Sequence, residues 1–204
     1  MPAIGITGGI STGKSSFCEC LREIVPAAKF FDADQVAHQL VDLEEVKREL
    51  LEAFGFTIFS LNGDLNRDAL RDIVFQNAAK RSALEKILHP RIRRQWSAQA
   101  KTSSSQFFFA DIPLLYETGC ETLCDRVVVV ACSPSIQLSS LMQRMGIERG
   151  AAEAMIKSQM PLEEKIKRAH HVVWNNGDRS LLGKQAASLV ELWRQEKWTK
   201  ANAS

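Results

Sequence analysis

The sequence predicts a three-layer α/β fold, a five-stranded parallel sheet covered by helices on both sides, on three observations. Short apolar runs alternate with stretches of helical period along most of the chain. One of these runs, residues 126–132, carries four successive valines, as a strand buried on both faces requires. The first run, residues 3–7, leads straight into glycines ahead of a helical segment, the context in which a strand-to-helix phosphate loop is found.

Taken in order, residues 3–7 form the first strand and 15–24 the first helix, closed by Pro26. Lys29-Phe30-Phe31 is a second strand ending at Asp32. Residues 33–105 are mostly of helical pattern: Val46, Leu50 and Phe54 share one face, as do Leu70, Ile73 and Val74 with the polar Asn77. That is too much chain for one crossover helix. It is expected to be an inserted helical lobe, residues 35–105, within a core made of 1–34 and 106–204. Lys101-Thr102-Ser103-Ser104-Ser105 reads as a polar, flexible return to the sheet. The third strand is 106–110, ending at Asp111, the fourth 126–132 and the fifth 171–174, before a turn at Asn175-Asn176-Gly177-Asp178. Helical pattern fills 133–169, with Ser133 as cap, Pro134 at the first helical position and Pro161 as an interruption. Residues 181–193 read as an amphipathic last helix.

Composition bounds the function. The 204 residues, 45% hydrophobic and 25% charged, suit one globular core with a smaller lobe, large enough to need no disulfides. A net charge of +2 argues against a nucleic-acid partner held by bulk electrostatics. The five cysteines include no C-x-x-C pair and no histidine pair at ligand spacing, so reduced thiols and a cytoplasmic location are expected. Cys120 and Cys124, four apart, could meet on a helix. The opening residues carry no basic n-region or cleavage site, and no apolar run reaches the ~20 residues that span a bilayer. No membrane and no obligate protein partner are expected.

Gly8-Gly9-Ile10-Ser11-Thr12-Gly13-Lys14-Ser15 fits G-x-x-x-x-G-K-[ST]. Its glycines let successive backbone N–H groups converge on phosphate oxygens, and the helix that follows adds its positive end. Lys14 would reach the β- and γ-phosphates, and the Ser15 hydroxyl would ligate Mg2+. Two roles are open to Asp111: a carboxylate delivered by an apolar strand toward magnesium, or a plain cap of the next turn. Asp32 leaves the second strand directly and can serve as the base that a kinase of alcohols needs; Asp34 reads as a helix cap. His89 before Pro90 can cap a following helix or line a pocket, and Arg91, Arg93 and Arg94 can form a solvated face or meet phosphate. His170 and His171 are adjacent on a strand and point apart, so they read as structural.

Together these residues resemble the dephospho-CoA kinase family. Thr7-Gly8-Gly9-Ile10 before Gly13-Lys14-Ser15 is similar to its opening, and Asp32-Ala33-Asp34 to its D-A-D. Leu65-Asn66-Arg67 resembles its L-N-R, His89-Pro90 its H-P ahead of a helix, and Pro113-Leu114-Leu115-Tyr116-Glu117 its P-L-L-F-E. Gln143-Arg144, with Arg149 beyond, corresponds to its lid, about 138–170, and Asn175-Asn176-Gly177 to its closing N-x-G.

The resemblance implies a P-loop kinase core with a helical acceptor lobe, and transfer of phosphate from ATP to the ribose 3′-hydroxyl of dephospho-CoA, the last step of coenzyme A synthesis. It implies Asp32, Lys14 and Arg144 as catalytic. Ser11, Thr12, Gly13, Lys14, Ser15, Ser16, Arg144, Asn175 and Gly177 would bind ATP. Asp32, Leu65, Arg67, His89, Pro113, Leu114 and Glu117 would bind the acceptor. Magnesium would accompany ATP as co-substrate, with no tightly bound cofactor. Departures are Ser11 for a glycine, Tyr116 for phenylalanine, His170 after Ala169, and Trp174 where an acid is common. The rival readings are another small-molecule or nucleoside monophosphate kinase and, in a different class, a regulatory NTPase switch, which would want an N-K-x-D motif absent here.

Overall fold

The computed structural model describes residues 2–60, 62–102, 105–196 and 198. Five strands, β1 (Ala3–Gly8), β2 (Lys29–Asp32), β3 (Phe108–Asp111), β4 (Arg126–Ala131) and β5 (His171–Trp174), form one sheet in the order β2-β3-β1-β4-β5. β1 runs parallel to both β3 and β4, and β4 parallel to β5. β3 begins at Phe108, two residues later than the apolar run suggests, and takes in Asp111. The chain divides into two compact units, one of the residues up to Phe31 and from Thr102 onward, the other Asp32–Lys101. Sequence patterning put those boundaries at 34/35 and 105/106.

In the sheet unit the valine run works as its pattern demands. Alternate side chains of a strand face opposite sides. Val128 and Val130 join Ile4, Ile6, Phe107 and Phe109 in a core closed by helices α1 (Lys14–Ile24) and α9 (Arg179–Gln195). Val127, Val129 and Ala131 are buried as well. Trp193 of α9 is fully buried, with its ring 6.2 Å from Phe107 and 6.0 Å from Phe109. After β4 come three helices, α6 (Pro134–Met145), α7 (Arg149–Lys157) and α8 (Leu162–Arg168). Ser133 caps α6, accepting from the Ile136 N–H at 3.4 Å, and Asp178 caps α9. His170 Nδ1 accepts from the Val127 N–H at 3.1 Å, and Trp193 Nε1 donates to His171 Nε2 at 3.3 Å, so both histidines serve the sheet.

The helical unit holds α2 (Ala33–Leu40), α3 (Glu44–Phe54), a single 3₁₀ turn at Phe56–Ile58, α4 (Arg67–Gln76) and α5 (Ala78–Thr102). Val46, Leu50 and Phe54 form the buried face of α3 as their spacing requires. Several expectations are corrected here. The cap of α2 is Asp32, whose Oδ1 accepts from the Gln35 N–H at 2.9 Å; Asp34 lies in the first turn. No helix begins at His89-Pro90, because α5 runs through Pro90. A mid-helix proline removes one backbone bond. The helix continues through Pro90 with Ile87, Leu88 and Trp96 buried on either side of it, and the Arg91 guanidinium donates to the Ile87 carbonyl at 2.7 Å. Arg91 is also paired with Glu49, so it is not part of a solvated basic face. Lys101 and Thr102 belong to α5 rather than to a flexible return, whose Ser103 and Ser104 lie outside the described residues. Among the described residues no helix is long and apolar enough to cross a membrane.

Candidate functional site: a phosphate loop

β1 ends at Gly8 and α1 begins at Lys14, so the chain reverses within a few residues. Gly13, with φ of 93°, is the cap residue of α1; it offers no side-chain cap, and the first turn carries no acid. The leading N–H groups of a helix left in this way are the ones that bind anions. Gly13 is also required sterically, since a Cβ there would stand 1.9 Å from Asn175 Nδ2. Ser11 has φ of 59°, the only positive φ of a non-glycine among the described residues, and its buried hydroxyl has no partner. The departure at Ser11 therefore puts a side chain where the backbone conformation favours glycine.

The loop is held from outside. Thr12 Oγ1 donates to the Gly9 carbonyl at 2.9 Å within it. Asn175 Nδ2 donates to the Thr12 carbonyl at 3.1 Å, and Gln137 Nε2 to the Ile10 carbonyl at 3.0 Å. The Ile10 N–H donates to Gln159 Oε1 at 3.1 Å. Lys165, fully buried, donates to the Gly8 carbonyl at 3.2 Å.

Lys14 makes an ion pair with Asp111, the two side chains being 16% and 13% exposed. The second Asp111 oxygen accepts from the Cys18 thiol at 3.6 Å. Burial and the facing carboxylate push that thiol far above its ordinary pKa, so Cys18 is no nucleophile. Asp111 thus engages Lys14 and Cys18. Ser15 is exposed and Ser16 half-buried in the first turn of α1. Arg144, on the last turn of α6, is exposed and has no ion-pair partner among the described residues. Arg149 pairs with Glu153 at 2.8 Å. Beyond Asn175, Asn176 accepts from the Ser133 N–H at 2.7 Å, and Gly177 lies against Leu181. Trp174 is 47% exposed, its backbone N–H and carbonyl both bonded to the Gln185 side chain.

Of the expected acceptor residues, Pro113, Leu114 and Glu117 follow β3 in the same unit as the loop. The Pro113 carbonyl accepts from Thr7 Oγ1 at 3.0 Å and from Lys165 at 3.1 Å. The Leu114 carbonyl accepts from Thr118. Glu117 accepts from Lys165 at 2.9 Å and from the Met160 N–H at 3.1 Å. Tyr116 is buried beneath the Arg168 guanidinium, and burial raises its hydroxyl to about 12. Leu65, Arg67 and His89 lie in the helical unit. Leu65 bridges Phe59, Arg67 pairs with Asp42 at 2.8 Å, and burial lowers the His89 pKa.

Sequence reasoning missed Gln137, Gln159 and Lys165. A signal existed for Lys165 alone: Leu162, Lys165, Ile166 and Ala169 share one helical face, so the lysine falls on the apolar side of α8.

Comparison with known proteins places this geometry. The family model for dephospho-CoA kinase matches residues 2–180. A Bacillus cereus dephospho-CoA kinase is 38% identical over 93% of this chain and 96% of its own length. A Fusobacterium nucleatum dephospho-CoA kinase is 35% identical over 92% and 96%. A solved Thermus thermophilus protein superimposes with a TM-score of 0.79 at 33% identity, covering 94% of this chain and 97% of that one. The dephospho-CoA kinase of Campylobacter jejuni gives 0.66 at 27% identity, covering 93% and 95%. A shikimate kinase from Bacteroides thetaiotaomicron, at 16% identity and 0.54, shares the fold. With a loop of this construction and this extent of likeness, the chain belongs to the dephospho-CoA kinase family.

Proposed function

We propose that this chain transfers the γ-phosphoryl group of ATP to the ribose 3′-hydroxyl of dephospho-CoA, giving coenzyme A and ADP. The observation that carries the reading is the uncapped, glycine-turned loop whose lysine stands against a strand-end carboxylate, in a chain that matches the family over residues 2–180. Phosphoryl transfer asks the protein chiefly for positioning and charge neutralisation, and these groups can supply both.

Lys14 exchanges Asp111 for the β- and γ-phosphates. Magnesium would accompany the nucleotide as part of the co-substrate. The hydroxyl of Ser15 and the carboxylate of Asp111 are hard oxygen donors that suit it, and the ion supplies charge neutralisation on the phosphates. The ribose oxygen forms the new P–O bond, the bond from phosphorus to the β–γ bridging oxygen breaks, and Asp32 takes the hydroxyl proton. Arg144 offsets the charge that grows on the transferring group. Ser11, Thr12, Gly13 and Ser16 complete the phosphate site, Asn175 and Gly177 lie by the adenine, and Leu65, Arg67, His89, Pro113, Leu114 and Glu117 receive the acceptor. The protein works in the cytoplasm.

The test is purified protein with ATP, magnesium and dephospho-CoA, read by mass spectrometry. A product one phosphate heavier than dephospho-CoA is expected. No such product, with shikimate or a nucleoside monophosphate phosphorylated instead, would overturn the substrate.

A further inference from the structure

Lys165 is fully buried, and its one nitrogen has three partners: the Gly8 carbonyl at 3.2 Å, the Pro113 carbonyl at 3.1 Å and Glu117 at 2.9 Å. No role assigned above uses it. Its partners, however, sit at two walls of the phosphate site. Gly8 is where β1 becomes the loop, and Pro113 lies two residues past Asp111 at the end of β3. The contacts therefore close a circuit. The chain runs from Gly8 round the loop to Lys14, Lys14 pairs with Asp111, the chain continues to Pro113, and Lys165 joins Pro113 back to Gly8.

One side of this circuit must open in use. A lysine that neutralises the phosphates releases its carboxylate partner, so the Lys14–Asp111 tie is lost when nucleotide is in place. β1 and β3 stay laddered as far as Ile6 and Asp111, where the Ile112 N–H donates to the Ile6 carbonyl at 3.0 Å. Past the end of that ladder, the bonds that still join the two walls are those of Lys165 and the one from Thr7 Oγ1 to the Pro113 carbonyl. We propose that Lys165 is a positioning residue for phosphoryl transfer: by bridging the Gly8 and Pro113 carbonyls it holds the phosphate loop and the Asp111 wall in register after Lys14 has moved to the nucleotide. This rests on the phosphate-loop reading above. Because ground-state binding of the triphosphate is spread over several N–H groups and Lys14, loss of the bridge acts mainly on the transition state, which tolerates misplacement least. Glu117 completes the coordination of the nitrogen and keeps a buried cation paired.

The experiment compares Lys165→Met, which keeps the stem and removes every donor, with Lys165→Gln, which restores a neutral one. Turnover per folded molecule, ATP affinity from fluorescent-nucleotide titration and the unfolding midpoint are measured on both, with Lys14→Ala alongside. The expected result is a loss in kcat of at least ~10-fold for Lys165→Met. ATP affinity should change by less than about threefold, because its contacts are elsewhere. Lys165→Gln should recover part of kcat by donating again to one carbonyl. A folded Lys165→Met protein with kcat near wild type would overturn the inference. So would a loss of ATP affinity in step with kcat, or failure of both variants to unfold cooperatively, which would make the lysine purely a fold element. The Lys14→Ala arm separates the two readings. If it is inactive while Lys165→Met is active, only the positioning role falls; if it keeps its activity, the phosphate-loop reading falls with it.

Discussion

Ser11 offers a direct measure of what the loop costs the fold. At φ of 59° a residue with a Cβ is held in the left-handed region, at about 1–2 kcal/mol relative to its preferred wells. Its hydroxyl oxygen is buried without a partner, which adds about 1 kcal/mol. Glycine removes both terms, and its greater freedom in the unfolded chain takes back about 0.5–1 kcal/mol. Ser11→Gly is therefore expected to stabilise the protein by about 1.5 kcal/mol, a rise in Tm of about 3–6 °C for a chain of this size. Differential scanning calorimetry without nucleotide reads it. Ser11→Ala, which keeps the backbone cost and discards only the hydroxyl, should recover only the hydroxyl's share of about 1 kcal/mol. If Ser11→Gly melts at or below wild type, the strain argument is wrong; if Ser11→Ala matches it, the backbone contributes nothing.

Four further outcomes are expected. Lys14→Ala should lower turnover by at least ~10² and should also lower Tm, because Asp111 loses its cation beside Cys18; a folded variant with near wild-type turnover would refute the loop's role. Asp32→Asn should lose ~10²–10⁴ in rate with ATP affinity kept, whereas Asp111→Asn should raise the magnesium needed for activity. Full turnover in the first and none in the second at saturating magnesium would exchange their roles. Arg144→Ala should reduce kcat more than it weakens acceptor binding, and a rise in KM for dephospho-CoA alone would place it in the acceptor site. Burial, reinforced by Arg126, lowers the pKa of His170 and His171 below the ordinary 6.5, so folding favours their neutral forms. The associated stability is complete above pH 6.5 and is lost as pH falls through the folded values. Urea midpoints should drop between pH 7.5 and 5.5, and less so in His170→Gln; equal pH dependence in that variant would remove His170 from the account.

Legibility in the sequence followed the range of the interactions. Four valines in a row announce a strand buried on both faces because that pattern has one physical explanation, and Val46-Leu50-Phe54 announces a helix face for the same reason. Local capping was read one residue pair astray: Asp32 and Asp34 are both acceptable caps by type, and only the end of β2 decides between them. Pro90 misled because a proline reads as a boundary, while the burial of Ile87, Leu88 and Trp96 that overrides it is tertiary. The loop itself was legible, since its residues are contiguous. Its supports mostly were not. Gln137 and Gln159 sit in segments rich in polar residues where nothing local marks them, and only Lys165, on the apolar side of α8, carried a local signal.

Those supports also order the making of the molecule. The loop occupies residues 8–15, yet the bonds that shape it come from residues 127, 149, 157 and 163 positions further along. Synthesis delivers the loop first and its holders last. A growing chain that has produced β1 through β4 carries the nucleotide motif without Lys165 or Asn175 to bend it, and closing loops of that length is what slows the formation of such contacts. The bonds that hold the loop are thereby complete only once β5 has been made, and a chain cut short before β5 would carry every residue of the motif while lacking the Asn175 grip on Thr12.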